Sequence, residues 1–371
     1  MARDGQVFVV LGGSGFLGEW VVRLLLEKMG DSLSEVRVFD SVVRDDMRAL
    51  ASGPCKLTLI KGDITDFEQL AAVVRGAHAV IHSISIIDFI NIVPKERMQR
   101  VNVGGTQNVV RACVQESVPI LVYTSSTEVV GPNKRFDPFF RGNEDTPYKV
   151  SHNNLYSSTK CEAEKIVLSA NGTKLIAGGK LSTCAIRPSG IYGEKHDSLE
   201  QAYRRAQKKR GVVIRVSPTN SEHGRVYVGN VAWMHVMAAQ ALEKKPQTVG
   251  GQVYYSCDES PFMSYTDFNM EFFSELGFRV SGERMILPYY VFYLLAILQE
   301  VLQVVLGPLT GFKPFLNRYM LNSLISTFTV SSDKASRHFN YEPLYSWAEC
   351  RQRTVAWLRA LPVAATPTPP H

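Results

Sequence analysis

At 371 residues the chain has room for one large domain, or for a domain with an appended lobe. Its hydrophobic fraction of 45% and its charged fraction of 20% exclude a disordered or fibrous protein. The net charge of +6 is mild and scattered, so the composition favours no nucleic-acid partner. The six cysteines stand far apart without metal-ligand spacing, and we expect free thiols in a reducing compartment and no metal site.

Short β-branched runs alternate with amphipathic stretches from residue 6 to about residue 190. This alternation predicts an α/β fold with a Rossmann-type, doubly wound parallel sheet that is covered by helices on both faces. We assign residues 1–195 to this NAD-binding domain and expect elements around 225–258 to return to it. The six runs predicted as strands are "VFVVLG", "EVRVFD", "KLTLIKGD", "AHAVIHS", "PILVYTS" and "STCAIRPS".

The second half of the chain is less regular and predicts a smaller C-terminal substrate lobe over residues 196–362, with a disordered tail at 363–371. Within the lobe, "MILPYYVFYLLAILQEVLQVVLGPL" at 285–309 begins with 14 uninterrupted apolar residues. A spanning helix needs about 20, so a buried helix of the lobe is the alternative. The apolar length and the tyrosines favour a membrane-embedded or interfacial segment.

The glycine loop "GGSGFLG" follows an apolar strand and precedes an amphipathic helix, which is the context of a dinucleotide-binding turn. Gly12 permits the tight turn, Gly15 lets the backbone approach a pyrophosphate, and Gly18 allows close packing of helix on strand. The N–H groups of the first helical turn, at Phe16 and Leu17, then face the anion. A purely structural strand-to-helix turn is the alternative.

Asp40 closes the strand "EVRVFD", 22 residues after the last glycine of the loop. A carboxylate there accepts both hydroxyls of the adenosine ribose and repels a 2′-phosphate, so the predicted cofactor is NAD rather than NADP. Arg44 lies close enough in sequence to weaken that preference, unless it pairs with Asp45 or faces solvent. Asp63 and Ile64 end the third strand and are placed to meet the adenine, with turn formation by Asp63 as the alternative.

Tyr156 and Lys160 in "LYSSTK" are four residues apart and share one helix face, and Ser126 ends the strand "ILVYTSS". A free tyrosine has a pKa of ~10, so a phenolate at neutral pH needs positive charge, which Lys160 and the nicotinamide cation can supply. Tyr156 is predicted to remove an alcohol proton while hydride leaves the same carbon for the cofactor. Ser126 is predicted to hold the substrate oxygen.

These motifs resemble the 3β-hydroxysteroid dehydrogenase/Δ5-Δ4 isomerase family, which belongs to the extended short-chain dehydrogenases/reductases. The resemblance covers residues 7 to about 345 and includes "GGSGFLGEWVVRLLLE", "VNVGGTQNVVRAC", "LVYTSSTEVVGPN", "YSSTKCEAEKIVL" and "CAIRPSGIYGE". "RGNEDTPY" and "EHGRVYVGNVAWMHV" look most like the C27-steroid branch of bile-acid synthesis. This likeness implies NAD-dependent oxidation of 7α-hydroxylated Δ5 sterols to 3-oxo-Δ4 products at the endoplasmic reticulum membrane. From the expected reducing compartment we predict that the catalytic part faces the cytosol.

Further positions follow from the resemblance. The segment "RPSGIYG" supplies backbone on the nicotinamide side, near Pro188 and Ile191. Asn102 matches the helix asparagine of the extended group, with capping or helix packing as an equal alternative. Ile84 in "IHSISIID" is bulkier than the small residues usual there, in a loop that borders the cofactor.

Isomerisation, also implied by the resemblance, needs a second proton shuttle, because the acidified C4 hydrogen must leave before C6 is protonated. Asp258 and Glu259 in "YYSCDESP" are the candidates, with capping of the turn before Pro261 as the alternative.

Other functions stay open: a C19/C21 steroid 3β-dehydrogenase/isomerase, a nucleotide-sugar epimerase or reductase, and an NAD-binding scaffold without catalysis. The apolar segment argues against a sugar enzyme, and the intact Ser-Tyr-Lys set argues against a scaffold. A homodimer is left open.

Overall fold

Strands and helices alternate through the first half of the molecule, in a computed structural model that describes residues 5–51 and 53–362. The predicted tail at 363–371 lies outside the described residues. The strands are β1 Gln6–Leu11, β2 Leu33–Asp40, β3 Lys56–Lys61, β4 Ala79–His82, β5 Ile120–Thr124, β6 Phe139–Gly142, β7 Ser182–Pro188, β8 Gly190–Tyr192, β9 Val212–Val213, β10 Arg225–Tyr227, β11 Gln252–Ser256, β12 Arg279–Val280 and β13 Phe328–Val330.

The helices connect and cover these strands. One π-helical stretch, Gln99–Gly104, precedes α4. The α-helices are α1 Phe16–Met29, α2 Phe67–Val74, α3 Lys95–Met98, α4 Gly105–Gln115, α5 Leu155–Ser169, α6 Asp197–Lys208, α7 Val228–Lys244, α8 Pro246–Val249, α9 Tyr265–Phe273, α10 Tyr289–Thr310, α11 Arg318–Ile325, α12 Lys334–Phe339 and α13 Trp347–Ala360.

The central sheet has seven strands in the order β11-β7-β5-β4-β1-β2-β3, and all its neighbours are parallel. The six predicted strands all lie in it, and the run "QVYYSC" supplies the seventh. The strand order reverses between β1 and β4, and ligands of doubly wound sheets bind at the carboxyl ends of the strands beside such a reversal. The predicted Rossmann-type fold is confirmed.

Two apolar layers hold the helices against the sheet. Along β1, Phe8 and Val10 face the layer that contains α1 and α7, whereas Val9 and Leu11 face the layer that contains α2, α4 and α5. Both faces of the strand are therefore buried, which explains why its sequence reads as a continuous apolar run.

Elements of residues 225–258 return to the sheet. Strand β10 pairs with β8, α7 packs on α1, and β11 pairs with β7. The smaller two-stranded sheets are β8–β10, β9–β12 and β6–β13, and the last of them joins the first half of the chain to the second. The division into domains at residue 195 stays a prediction.

Helix α10 occupies most of the apolar segment predicted at 285–309. It begins after Pro288 and ends before Gly311, whose φ of 69° is the left-handed conformation of a helix C-cap. Only Ala296 and Gln299 are buried, while Val304 is 77% exposed. By length and composition α10 is able to cross a membrane. The alternative of a buried lobe helix is wrong.

Candidate active site

The glycine loop joins β1 to α1 at the point where the strand order reverses. Gly12 has a φ of 84°, which favours glycine, and its N–H donates to the Phe39 carbonyl at 2.8 Å. A Cβ on Gly18 would lie 2.0 Å from the Gly12 oxygen, so α1 approaches the strand as closely as the sequence predicted. The backbone of Ile84 lies behind Gly12, since a Cβ there would come within 3.0 Å of the Ile84 nitrogen.

The loop fits a phosphate-bearing ligand. Gly15 is the N-cap of α1 and supplies no side-chain cap, so the first-turn N–H groups at Phe16 and Leu17 have no capping acceptor. The hydroxyl of Ser14 is buried without a hydrogen-bond partner among the described residues. Free donors at a helix N-terminus are the features that bind a pyrophosphate.

Asp40 ends β2 beside this loop. One of its carboxylate oxygens accepts a hydrogen bond from the Ser14 N–H at 3.1 Å. Arg44 pairs with Glu19 of α1 and, at 3.4 Å, with Asp46. The expectation that Arg44 pairs with Asp45 or faces solvent is wrong, because α1 brings Glu19 across to the chain that follows β2. The guanidinium that could have attracted a 2′-phosphate is thus held by carboxylates.

The other predicted cofactor residues lie at the same ends of their strands. Asp63 accepts hydrogen bonds from the N–H and the hydroxyl of Thr65, both at 2.9 Å, which is the turn-forming contact. Ile64 is buried between α2 and α4. Pro188 ends β7, and Ile191 lies in β8 immediately beyond it.

The three predicted catalytic side chains converge at the end of β5. Tyr156 at the start of α5 is 6% exposed, and Ser126 lies close enough to lower the pKa of its phenol. Lys160, one helical turn further, donates from Nζ to the Thr124 carbonyl at 2.5 Å and lies 4.2 Å from the centroid of the Tyr123 ring. Asn154 starts this helix by accepting from the Ser157 N–H at 2.7 Å.

The electrostatics of these groups are set mainly by burial. Burial raises the pKa of Tyr156, the charge of Glu128 raises it further, and the Ser126 side chain opposes both. Burial also lowers the pKa of Lys160 to about 7, against the charge of Glu164. Lys160 therefore does not by itself produce a phenolate, and further positive charge is needed beside Tyr156.

Glu128 is a site residue that the sequence reasoning missed. Its carboxylate accepts from the Ser157 hydroxyl at 2.8 Å and from the Tyr319 hydroxyl, and burial raises its pKa against these hydrogen bonds. It follows Ser126 by two residues, and an acid so close to a serine at a strand end was the available signal. A carboxyl group of raised pKa near Tyr156 is suited to proton transfer.

The loop that contains Ile84 reaches over Tyr156. Asn102, in the π-helical stretch, accepts from the Ile86 N–H at 2.7 Å and donates to the Ile86 carbonyl and to Thr159. Further along the loop, the Phe89 ring packs edge-on against Tyr156 with centroids 5.1 Å apart. Asn102 thus ties this loop to α5.

The same loop is attached to α10 and the chain after it. Gln303 of α10 donates to the Asn91 carbonyl at 2.8 Å, and Asn317 donates to the Phe89 carbonyl at 2.6 Å. Helix α10 is therefore directly connected to the loop that packs on Tyr156.

Asp258 does not join this cluster. Its carboxylate accepts from the backbone N–H groups of Tyr227 and Ser260 and from the side chain of Asn230, at 2.8 to 2.9 Å. These bonds satisfy the start of α7, and Glu259 accepts only from the Trp347 N–H at 3.3 Å within the described chain. The contact with Ser260 is that of the turn-capping alternative, and the catalytic role of Asp258 stays a prediction.

The Rossmann sheet, its glycine loop and the Ser-Tyr-Lys cluster define the class of the protein as a short-chain dehydrogenase/reductase. Residues 9–288 match the 3-beta hydroxysteroid dehydrogenase/isomerase family. The chain belongs to that family, which confirms the resemblance drawn from its motifs and the prediction that it is an enzyme.

Named relatives agree with this assignment. The chain is 50% identical to the human (Homo sapiens) 3 beta-hydroxysteroid dehydrogenase type 7 over 95% of its length and 96% of the relative's. It is 48% identical to the protein of the same name from Mus musculus, over 97% of its own length and 99% of the relative's. In fold it is similar to a double mutant of the dTDP-glucose 4,6-dehydratase of Streptomyces venezuelae crystallised with NAD, with a TM-score of 0.70, 19% identity and coverage of 95% and 97%.

Proposed function

We propose that this chain is an NAD-dependent 3β-hydroxysteroid dehydrogenase that oxidises 7α-hydroxylated C27 Δ5 sterols of bile-acid synthesis and isomerises them to 3-oxo-Δ4 products. Family membership and relatives named 3 beta-hydroxysteroid dehydrogenase type 7 support the reaction and the substrate class. They weigh against a nucleotide-sugar enzyme, because the sugar-enzyme likeness rests on 19% identity and carries the fold alone.

The observation that carries the proposal is the convergence of Tyr156, Ser126 and Lys160 at the end of β5, two strands from the glycine loop. Gly12, Gly15, Phe16, Leu17 and Gly18 would hold the pyrophosphate of the dinucleotide, and Asp40 and Asp63 its adenosine. Pro188 and Ile191 would line its nicotinamide side. When bound, NAD supplies a hydride acceptor and a positively charged ring.

The chain's own residues then perform the acid–base chemistry. Ser126 orients the 3β-hydroxyl by hydrogen bond, and Tyr156 accepts its proton as the C3–H bond breaks. Lys160 stabilises the tyrosinate electrostatically, because its buried ammonium lies one helical turn from the phenol. Phe89 covers the ring of Tyr156 and helps exclude water from the reacting oxygen.

Isomerisation requires a carboxylate that takes the C4 proton and returns a proton to C6. We assign this role to Glu128 before Asp258, because Glu128 lies beside Tyr156, while the Asp258 oxygens accept from the N–H groups of Tyr227 and Ser260. The 3-oxo-Δ5 intermediate should accumulate in Glu128→Gln. Asp258→Asn with native melting behaviour should still convert this intermediate. Accumulation in Asp258→Asn alone, with native melting behaviour, would reverse the assignment.

The proposed location is the endoplasmic reticulum membrane, with the catalytic part facing the cytosol. Support comes from the exposed apolar surface of α10 and from six free cysteines, which suit a reducing compartment. The contact of Gln303 in α10 with the loop over Tyr156 supports a lipid-facing helix close to the substrate cleft.

Product analysis tests the function. The full-length protein in detergent is incubated with NAD and, separately, a 7α-hydroxylated Δ5 sterol, a C19 or C21 Δ5 steroid, and a nucleotide sugar. We expect a 3-oxo-Δ4 product from the first substrate with the highest kcat/KM. Preference for the C19 or C21 steroid would assign the steroid alternative, and turnover of the nucleotide sugar alone would overturn the proposal.

A further inference from the structure

Arg225 in β10 has a guanidinium group without an anionic partner in residues 5–51 and 53–362. It makes no hydrogen bond or ion pair there, and its recorded contacts are the aromatic rings of Tyr265, 3.8 Å from Cζ, and Phe268, at 5.5 Å. Arginine is always charged, and a partly buried one normally meets a carboxylate or other acceptor. Arg225 is half-buried, and the described residues leave the hydrogen-bonding capacity of its guanidinium unused.

The carboxylates of the same region are paired elsewhere. Asp267 pairs with Arg215 at 2.6 Å, Glu194 with Arg353 at 3.0 Å, and Glu222, three residues before Arg225, with Arg141 at 3.3 Å. Two buried histidines lie close enough to feel its charge: burial together with the charge of Arg225 lowers the pKa of His196 to about 4 and that of His223 to about 3. The guanidinium of Arg225 is therefore free to meet an oxygen acceptor on a bound ligand.

Arg225 also lies where the cofactor segment meets the substrate lobe. It is paired in register with Gly190, and a Cβ on Gly190 would lie 2.2 Å from Nη1, so the guanidinium packs directly on that backbone. Gly190 stands between Pro188 and Ile191, the residues predicted for the nicotinamide side. On its other side the guanidinium is stacked on Tyr265, the first residue of α9.

We propose that Arg225 is a specificity-determining residue that donates hydrogen bonds to a second oxygen substituent of the sterol, distinct from the 3β-hydroxyl. The proposal rests on the proposed function and deepens it. The substituent is a hydroxyl or a carboxylate, since a guanidinium fork binds either oxygen. The tyrosine beneath it fixes the orientation of the fork and leaves its edge for the ligand.

The test compares three 3β-hydroxy-Δ5 sterols at saturating NAD: one with a 7α-hydroxyl, the same sterol without it, and one with a side-chain carboxylate but no 7-hydroxyl. For the wild type, Arg225→Gln and Arg225→Lys, kcat/KM is measured on each sterol, together with KM for NAD. The matched control is Arg141→Gln. Like Arg225, Arg141 lies over an aromatic ring, with its Cζ 5.1 Å from the centroid of the Phe262 ring, but it is exposed and paired with Glu222.

We expect Arg225→Gln to lose about ten- to hundredfold in kcat/KM on one oxygenated sterol while turnover of the unsubstituted sterol and KM for NAD stay unchanged. Loss on the 7α-hydroxylated sterol identifies the hydroxyl as the ligand, and loss on the acid identifies the carboxylate. Arg225→Lys, which keeps the charge, should lose less on the same sterol, and Arg141→Gln should lose on none.

Equal loss on all three sterols, no loss on any, or a raised KM for NAD alone would overturn the assignment of Arg225 while leaving the proposed function in place. If the wild type oxidises none of the three sterols, the proposed function fails and the inference about Arg225 fails with it. If the melting curve shows that Arg225→Gln does not fold, Arg225→Lys decides between these outcomes, by its kcat/KM on each sterol relative to the wild type.

Discussion

The nucleotide cleft and helix α10 are stabilised in opposite ways. In the cleft, buried groups of the chain hold the catalytic side chains in place, as when Lys160 donates to the Thr124 carbonyl. On α10 the apolar side chains point outward, and polar contacts such as that of Gln303 with the Asn91 carbonyl fix its place. The cleft is thus held by contacts within the chain, whereas α10 leaves an apolar surface exposed, which is typical of a surface that meets lipid or a partner.

The largest effect should come from the cleft. Tyr156→Phe removes the proton acceptor while keeping the ring and its packing on Phe89, so we expect kcat to fall by about 10²- to 10⁴-fold with NAD binding retained. The rate of NADH formation measures kcat, and calorimetric titration with NAD measures cofactor binding. Tyr203→Phe, in the buried face of α6, is the matched control and should keep full activity. Retained dehydrogenation in Tyr156→Phe contradicts the mechanism.

The next effect should come from α10. Leu294 and Leu298 are 64% and 52% exposed and lie one turn apart on the same face of the helix. The double change Leu294→Glu and Leu298→Glu should lower partitioning onto phospholipid vesicles by about 100-fold, since each buried leucine contributes roughly 1.5–3 kcal/mol. Ile176→Glu, at a site 74% exposed but outside α10, should leave vesicle binding unchanged. Equal vesicle binding by both variants would show that α10 does not enter lipid.

A smaller change is expected at the ribose end of the cleft. Asp40→Ala removes the carboxylate that accepts the ribose hydroxyls and repels a 2′-phosphate, so the ratio of kcat/KM for NAD to that for NADP should fall by about tenfold. Arg44→Gln, with the guanidinium already held by Glu19 and Asp46, should change this ratio much less. If the unaltered protein uses both cofactors equally, Asp40 does not set the preference.

The smallest expected effect is a loss of folding stability at acidic pH. Burial lowers the pKa of His235, behind the Thr124 hydroxyl, to about 4. The unfolded chain, with a histidine pKa near 6.5, binds the proton first, so this contribution to stability is complete above pH 6.5 and is lost as the pH falls towards 4. The loss is at most about 1.4 kcal/mol per pH unit for one histidine.

Urea unfolding at pH 7 and pH 5 measures that loss. His235→Gln, with no titrating ring, should show a shallower decline in the free energy of unfolding than the wild type. An identical decline would mean that His235 is not a source of acid sensitivity.

The six strand runs, the glycine loop and the Ser-Tyr-Lys set could be predicted because their signals are local: β-branched runs, glycine spacing, and a tyrosine and a lysine four residues apart on one helix face. Contacts between distant segments could not. Glu19 of α1 forms an ion pair with Arg44, 25 residues later, and the Tyr319 hydroxyl donates a hydrogen bond to Glu128, 191 residues earlier. The sequence predicted an acid–base role for Asp258, but it could not show that the carboxylate accepts a hydrogen bond from the backbone of Tyr227.

Hydride transfer is tested most directly with a 7α-hydroxylated Δ5 sterol that carries deuterium at C3. In the wild type, mass spectrometry should find the deuterium in the reduced nicotinamide, in an amount equal to the 3-oxo sterol formed, and Tyr156→Phe should transfer almost none. Formation of the 3-oxo product without deuterium in the nicotinamide, or unchanged transfer in Tyr156→Phe, would contradict oxidation of C3 by a tyrosine-assisted hydride shift.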